Sequence, residues 1–125
     1  MKKKLAVLAL ILLLAVPAWG AINGLLEFTS CAAVTSTGFC PSGQLSNLEP
    51  RYTYTVIVTG APSVVVLELE GSLDDVEFFL MDTSNTTTRE MRHVINRSVH
   101  FLRGSLVTLT GGTAPTVTVK ISARS

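Results

Sequence analysis

The feature that most constrains this chain is a two-residue rhythm of β-branched and aromatic side chains, interrupted at short intervals by turn formers. Thr116–Ser122 reads TVTVKIS, with Val117, Val119 and Ile121 on one side and Thr116, Thr118 and Lys120 on the other. Arg51–Thr59 reads RYTYTVIVT and sets Tyr52, Tyr54, Val56 and Val58 against Thr53, Thr55 and Ile57. A strand points successive side chains to opposite faces, so such alternation describes a sheet with one buried side. Outside the N-terminal segment no ten-residue stretch has the 3.6-residue period of a helix. Further runs fit strands at Ser63–Glu70, Val76–Met81, Arg92–Ile95, Ser98–Arg103 and Ser105–Thr110, and a short one near Leu25–Thr29. Breakers stand between them: Gly60-Ala61-Pro62, Gly71-Ser72 with Asp74-Asp75, the polar loop Asp82–Thr88, Asn96-Arg97 and Gly111–Pro115. The fold class is all-β: a single antiparallel β-sandwich or jelly-roll-like domain of six to eight short strands.

The N-terminus is of another kind. Lys2, Lys3 and Lys4 precede the unbroken apolar run Leu5–Val16, which Pro17 ends; Ala18 and Gly20 are small residues at the spacing of a cleavage site. This describes a cleavable signal peptide over residues 1–20. A membrane span needs about 20 apolar residues, so membrane contact is expected only through this segment, if it stays uncleaved. Export implies a periplasmic, extracellular or cell-surface location. Three organising segments follow: signal peptide 1–20, an irregular disulfide-tied segment 21–50, and a β-sandwich domain 51–125.

Removing the first 20 residues changes the charge. Three of the ten basic residues lie there, leaving seven against nine acidic ones. The remainder is mildly acidic, which excludes a basic nucleic-acid binder. Cys31 and Cys40 are the chain's two cysteines, and in an oxidising compartment they are expected to form a disulfide.

Catalytic chemistry has no visible set. His93 and His100 lie in an arginine-rich stretch with no Gly-x-Ser-x-Gly elbow, and Gly111-Gly112 is not followed by a phosphate-loop lysine. The chain therefore reads as a non-enzyme. Charge, however, is sorted. Glu68, Glu70, Asp74, Asp75, Glu77 and Asp82 fall close together, and Arg89, Arg92, Arg97 and Arg103 follow. Opposite clusters on successive strands suit cross-strand pairing, or complementary patches between copies in a head-to-tail assembly. The arginines could instead grip an anionic ligand. The turn at Asp74 and Asp75, with a backbone carbonyl, offers oxygens for a calcium ion; a solvated strand face is the plainer reading, and no other cofactor is expected. Asn85-Thr86-Thr87 and Asn96-Arg97-Ser98 match the glycosylation pattern of exposed loops.

The run Val64–Phe79, VVVLELEGSLDDVEFF, is similar to the "strand, E-G-S-x-D-G, strand" hairpin of discoidin-like and phage-type β-sandwich modules. Val99–Leu106 resembles their late "V-R-F-I-R-x-x-L" strand, and Gly111–Val119 resembles the closing turn and strand of small structural modules of tailed phages and prophages. Two positions depart: Asp75 stands where the turn usually has glycine, and Phe78-Phe79 where the second strand usually has tryptophan. The resemblance implies a jelly-roll-like module used for binding or assembly, with protein partners or self-association, or alternatively a carbohydrate. Trp19 lies in the signal segment, so Tyr52, Tyr54, Phe39 and Phe101 are left to stack on a sugar; their strand alternation favours core positions instead.

Overall fold

The computed structural model describes residues 25–124, and the signal peptide read in residues 1–20 lies outside them. Seven strands follow in chain order: β1 (Leu25–Val34), β2 (Gly38–Phe39), β3 (Gly43–Thr59), β4 (Val64–Ser72), β5 (Phe79–Ser84), β6 (Arg89–Thr110) and β7 (Thr116–Arg124). All pairings are antiparallel, in one hydrogen-bonded sheet of order β1-β7-β3-β6-β4-β5, with β2 set against β6. The described residues contain no helix.

The predicted alternation is realised where it is strongest. Tyr52, Tyr54, Val56 and Val58 of β3 and Val117, Val119, Ile121 and Ala123 of β7 are buried, as are Val65, Leu67 and Leu69 of β4 and Leu102 and Leu106 of β6. Each such aliphatic side chain contributes roughly 1.5–3 kcal/mol on burial. The sheet folds back over this core. At Gly104 in β6 an added Cβ would lie 2.7 Å from Cys31 Sγ of β1, 3.6 Å from Val119 of β7 and 3.7 Å from Leu67 of β4. The strands beside β6 and those beside β7 therefore share one interior.

Four expectations are corrected. The segment 21–50 is not irregular over its described part, since Leu25–Val34 pairs with β7 and β3 already begins at Gly43. Its pattern was hidden because two register shifts, with Ala33 at φ 47°, break the two-residue period. Second, the strand expected at Val76–Met81 starts only at Phe79 and runs to Ser84, so Asp82–Ser84 are ladder residues, with Asp82 and Ser84 opposite Leu69 and Leu67. The reason lies in Asp74, whose Oδ1 accepts the backbone N–H groups of Val76 and Glu77 at 3.0 Å each and withholds them from a ladder. Third, β6 runs unbroken through Asn96-Arg97. The turn signal is spent on a bulge: Asn96 has φ 61°, and β6 has extra residues against β3 between Glu49 and Arg51. Before the bulge β6 pairs with β3, and after it chiefly with β4. Fourth, Phe39 is not core: it is 70% exposed.

The disulfide is as expected. Cys31 and Cys40 are bonded, with Cα atoms 5.2 Å apart, and both are buried. Ser30 Oγ sits beside it, donating to Pro41 O at 2.7 Å and accepting from Gly104 N–H at 2.9 Å, while Cys40 N–H donates to Gly104 O at 2.9 Å. The bridge thus ties β1 to the residue after β2, beside Gly104 of β6.

Candidate functional site

The β4–β5 connection is a rigid tip built by its own polar residues. Ser72 is buried, and its Oγ donates to Asp74 Oδ1 at 2.9 Å and accepts the N–H of Asp75 at 3.0 Å. With its hold on Val76 and Glu77, Asp74 organises the whole turn. The N–H donors of Glu77 and Val76, then Ser72, keep its carboxyl below the usual carboxylate range. Asp75 takes the left-handed conformation (φ 63°) and accepts Ser42 Oγ at 2.6 Å, which ties the tip to the start of β3. The position where resembling modules carry glycine is therefore one that demands positive φ, and Asp is among the residues that tolerate it.

Arg103 braces the tip from below. Its Nε donates to Glu70 Oε1 at 2.8 Å, across the β4–β6 register in which the two are partners. Its guanidinium carbon lies 3.8 Å from the ring centre of Phe78 and 4.0 Å from that of Phe39. One cation thus joins the disulfide ring, through Phe39, to the tip, through Phe78. Above this brace the tip presents apolar side chains to solvent: Leu73, Val76, Phe79 and Leu80 are each at least half exposed, Val76 at 79%. Asp74, Asp75 and Glu77 lie among them.

A second polar group closes the gap between β5 and β6. Tyr54 Oη donates to Asp82 Oδ2 at 2.9 Å, and Arg92 Nε donates to the same oxygen at 2.6 Å. Arg92 also holds Glu90 Oε1 at 2.6 Å. Burial raises the Asp82 carboxyl, but the hydrogen bonds from Arg92 and Tyr54 outweigh it and hold the group below its ordinary range. Burial and the bond to Asp82 push the Tyr54 phenol well up. Tyr52 beside it is raised by burial to about 12, and its buried hydroxyl finds no partner among the described residues. Both tyrosines are core, as the alternation predicts, and neither is a stacking platform.

The outer face of β7, β3 and the first half of β6 carries the third group. Register aligns Thr53 with Ser122 and His93, Thr55 with Lys120 and Met91, and Ile57 with Thr118 and Arg89. Two shallow depressions of about 470 and 460 Å³ lie on this face, both lined by Thr55, Met91 and Lys120. His93 Nδ1 is 2.8 Å from Thr53 Oγ1.

The sequence-predicted charges thus divide. Glu70 with Arg103, and Arg92 with Asp82, form ion pairs between strands. Arg97 donates to Leu80 O at 3.4 Å. Glu68 sits half-buried on β4 opposite Ser105 and Thr83, Glu77 is on the tip, and Arg89 is on the outer face. Asp74 spends a carboxylate oxygen on the turn and Asp75 one on Ser42, and no group of three His, Cys, Asp or Glu side chains gathers among the described residues. Asn85 is exposed between strands, whereas Asn96 is exposed within β6. Sequence reasoning missed Phe39 and Phe78 as partners of Arg103, because nothing in a linear pattern brings β2, β6 and the tip together.

No protein-family model and no curated protein matches the chain. Solved structures do. The SPBc2 prophage-derived protein YomS superimposes with a TM-score of 0.60 at 17% identity, covering 81% of this chain and 93% of that one. The PBSX exported protein XepA gives 0.55 at 13% identity, over 81% of this chain but only 38% of its own. The CBM32 of AlyQ, solved in complex with 4,5-unsaturated mannuronic acid, gives 0.53 at 9% identity, over 76% of this chain and 75% of that one. The likeness is one of fold. It joins the two kinds of module, phage-type and discoidin-like, that the hairpin and closing-strand motifs resemble.

Proposed function

We propose that this chain is an exported, non-catalytic β-sandwich module of jelly-roll type that works by protein–protein assembly, at a cell surface or in a particle. Its segments are a signal peptide over residues 1–20 and a sandwich domain that takes in the disulfide-tied strands from Leu25 onward. The observation that carries the reading is the tip: Leu73, Val76, Phe79 and Leu80 stand exposed on a turn made rigid by Ser72, Asp74, Asp75 and Arg103. Apolar side chains held together in water mark an interaction surface, and a preorganised one loses little entropy on docking. Likeness in fold to a prophage-derived protein and to an exported protein supports the same reading.

Light scattering of the purified protein, unaltered and with Val76→Asp plus Phe79→Ser, tests it. Self-association in the unaltered protein that disappears in the variant supports assembly through the tip. A strict monomer in both counts against it. A second reading, a carbohydrate-binding module, is favoured by the fold likeness to the CBM32 of AlyQ. A glycan array run with and without chelator separates the two, and binding in neither condition removes the second.

A further inference from the structure

We infer that the acidic, apolar tip of one copy docks on the outer face of β7, β3 and β6 of a second copy, in a head-to-tail contact; this rests on the assembly reading above. The two surfaces are complementary. The tip offers Leu73 and Val76 flanked by Asp74, Asp75 and Glu77; the cations against it are Arg103, paired with Glu70, and Arg97, which donates to Leu80 O. The face offers Ile57 and Met91, 41% and 62% exposed, flanked by Arg89 and Lys120. Neither Arg89 nor Lys120 is in an ion pair among the described residues, whereas the nearby Glu90 carboxylate is already held by Arg92. Glu27 of β1 lines the depression beside His93 and Lys120 but not the one beside Ile57 and Arg89. The depressions beside Met91 and Lys120 are shallow and open, the form suited to side chains of a protruding turn.

Geometry sets the two surfaces apart within one molecule. Ser72, at the root of the tip, pairs with Phe101 of β6, and Ile57 of the face pairs with Arg89 of the same strand. Met91 and Thr55 of the face alternate with Arg92 and Tyr54, whose side chains turn to the other side of the sheet to meet Asp82 of β5, so the face looks away from the β4–β5 pair that carries the tip. A tip cannot reach its own face, so the contact joins different copies and is heterologous. Such contacts build rings or open chains rather than isologous dimers.

Mixing two variants tests this. Val76→Ser with Glu77→Lys disables the tip, and Arg89→Glu with Lys120→Glu disables the face. All four side chains are exposed, and Leu73→Ser and Met91→Ser serve as second variants should either pair fail to fold. Each variant alone is expected to weaken association about tenfold or more, so that it sediments as a monomer where the unaltered protein associates. Mixed one to one, they should form a complex of two copies, because one supplies an intact face and the other an intact tip. A mixture that stays monomeric overturns the inference. So does a face variant that associates like the unaltered protein, although the assembly reading would then stand on another contact. An unaltered protein that never associates removes both.

Discussion

Replacing Arg103 should loosen two peripheral segments at once, and the size of the effect follows from its contacts. The guanidinium lies about equally close to two aromatic rings, 3.8 and 4.0 Å from their centres. Such contacts contribute roughly 0.5–2 kcal/mol each, with the upper end reached when the cation is shielded from water. The side chain is 20% exposed, and that of Glu70, its ion-pair partner, 14%. Arg103→Met keeps most of the packing but deletes the cation and leaves the Glu70 carboxylate half-buried without its donor. The expected cost is about 2–4 kcal/mol. Urea unfolding followed by far-ultraviolet circular dichroism measures it, and a double-mutant cycle with Phe78→Leu isolates the ring contact. A coupling of about 0.5–1 kcal/mol is expected for that pair, and a similar one for Phe39→Leu. Hydrogen exchange should quicken both at the tip amides held by Asp74 and at Cys40 N–H. Coupling indistinguishable from zero in both cycles, or exchange that quickens in neither segment, would refute the idea that Arg103 braces the tip.

Four further outcomes follow from the fold. Because Tyr52 and Tyr54 are the chain's two tyrosines and both phenols are raised, no phenolate absorbance should appear near pH 10 in the folded protein. The unfolded chain releases these protons first, so stability should fall as pH rises above about 10, and the absorbance titration should coincide with unfolding. At the acid end, Asp82 is depressed below its ordinary value, so its contribution is present above about pH 4 and is lost as pH falls through the folded pKa; Asp82→Asn should flatten that part of the acid stability curve. Gly104→Ala, which puts a Cβ 2.7 Å from Cys31 Sγ, should cost about 1–3 kcal/mol in thermal unfolding, and Cys31→Ala with Cys40→Ala about 2–3 kcal/mol.

The sequence made the inner ladders legible because β4, β7 and the second half of β3 each bury one face, and burial enforces alternation. Tyr52 through Val58 and Val117 through Ile121 needed no knowledge of their neighbours. β1 was less visible, since its bulges at Thr29/Cys31 and Cys31/Val34 reset the period. Asn96 was read as a turn because its chemistry favours positive φ, which it has, but the strand absorbs that residue as a bulge. The tip was legible in its turn chemistry and misread in its extent, because the reach of Asp74 to Glu77 N–H depends on atomic geometry. Charge pairing was foreseeable in kind from the sorted clusters. The partners Phe39 and Phe78 of Arg103 were not, because they come from segments that only the disulfide and the folded-back sheet bring together.

Sedimentation velocity of the unaltered protein, over a wide concentration range at low and high salt, tests the central claim most directly. The account predicts association that grows with concentration and weakens at high salt, where the charges flanking the apolar contact are screened. A monomer at every concentration in both salts would contradict it.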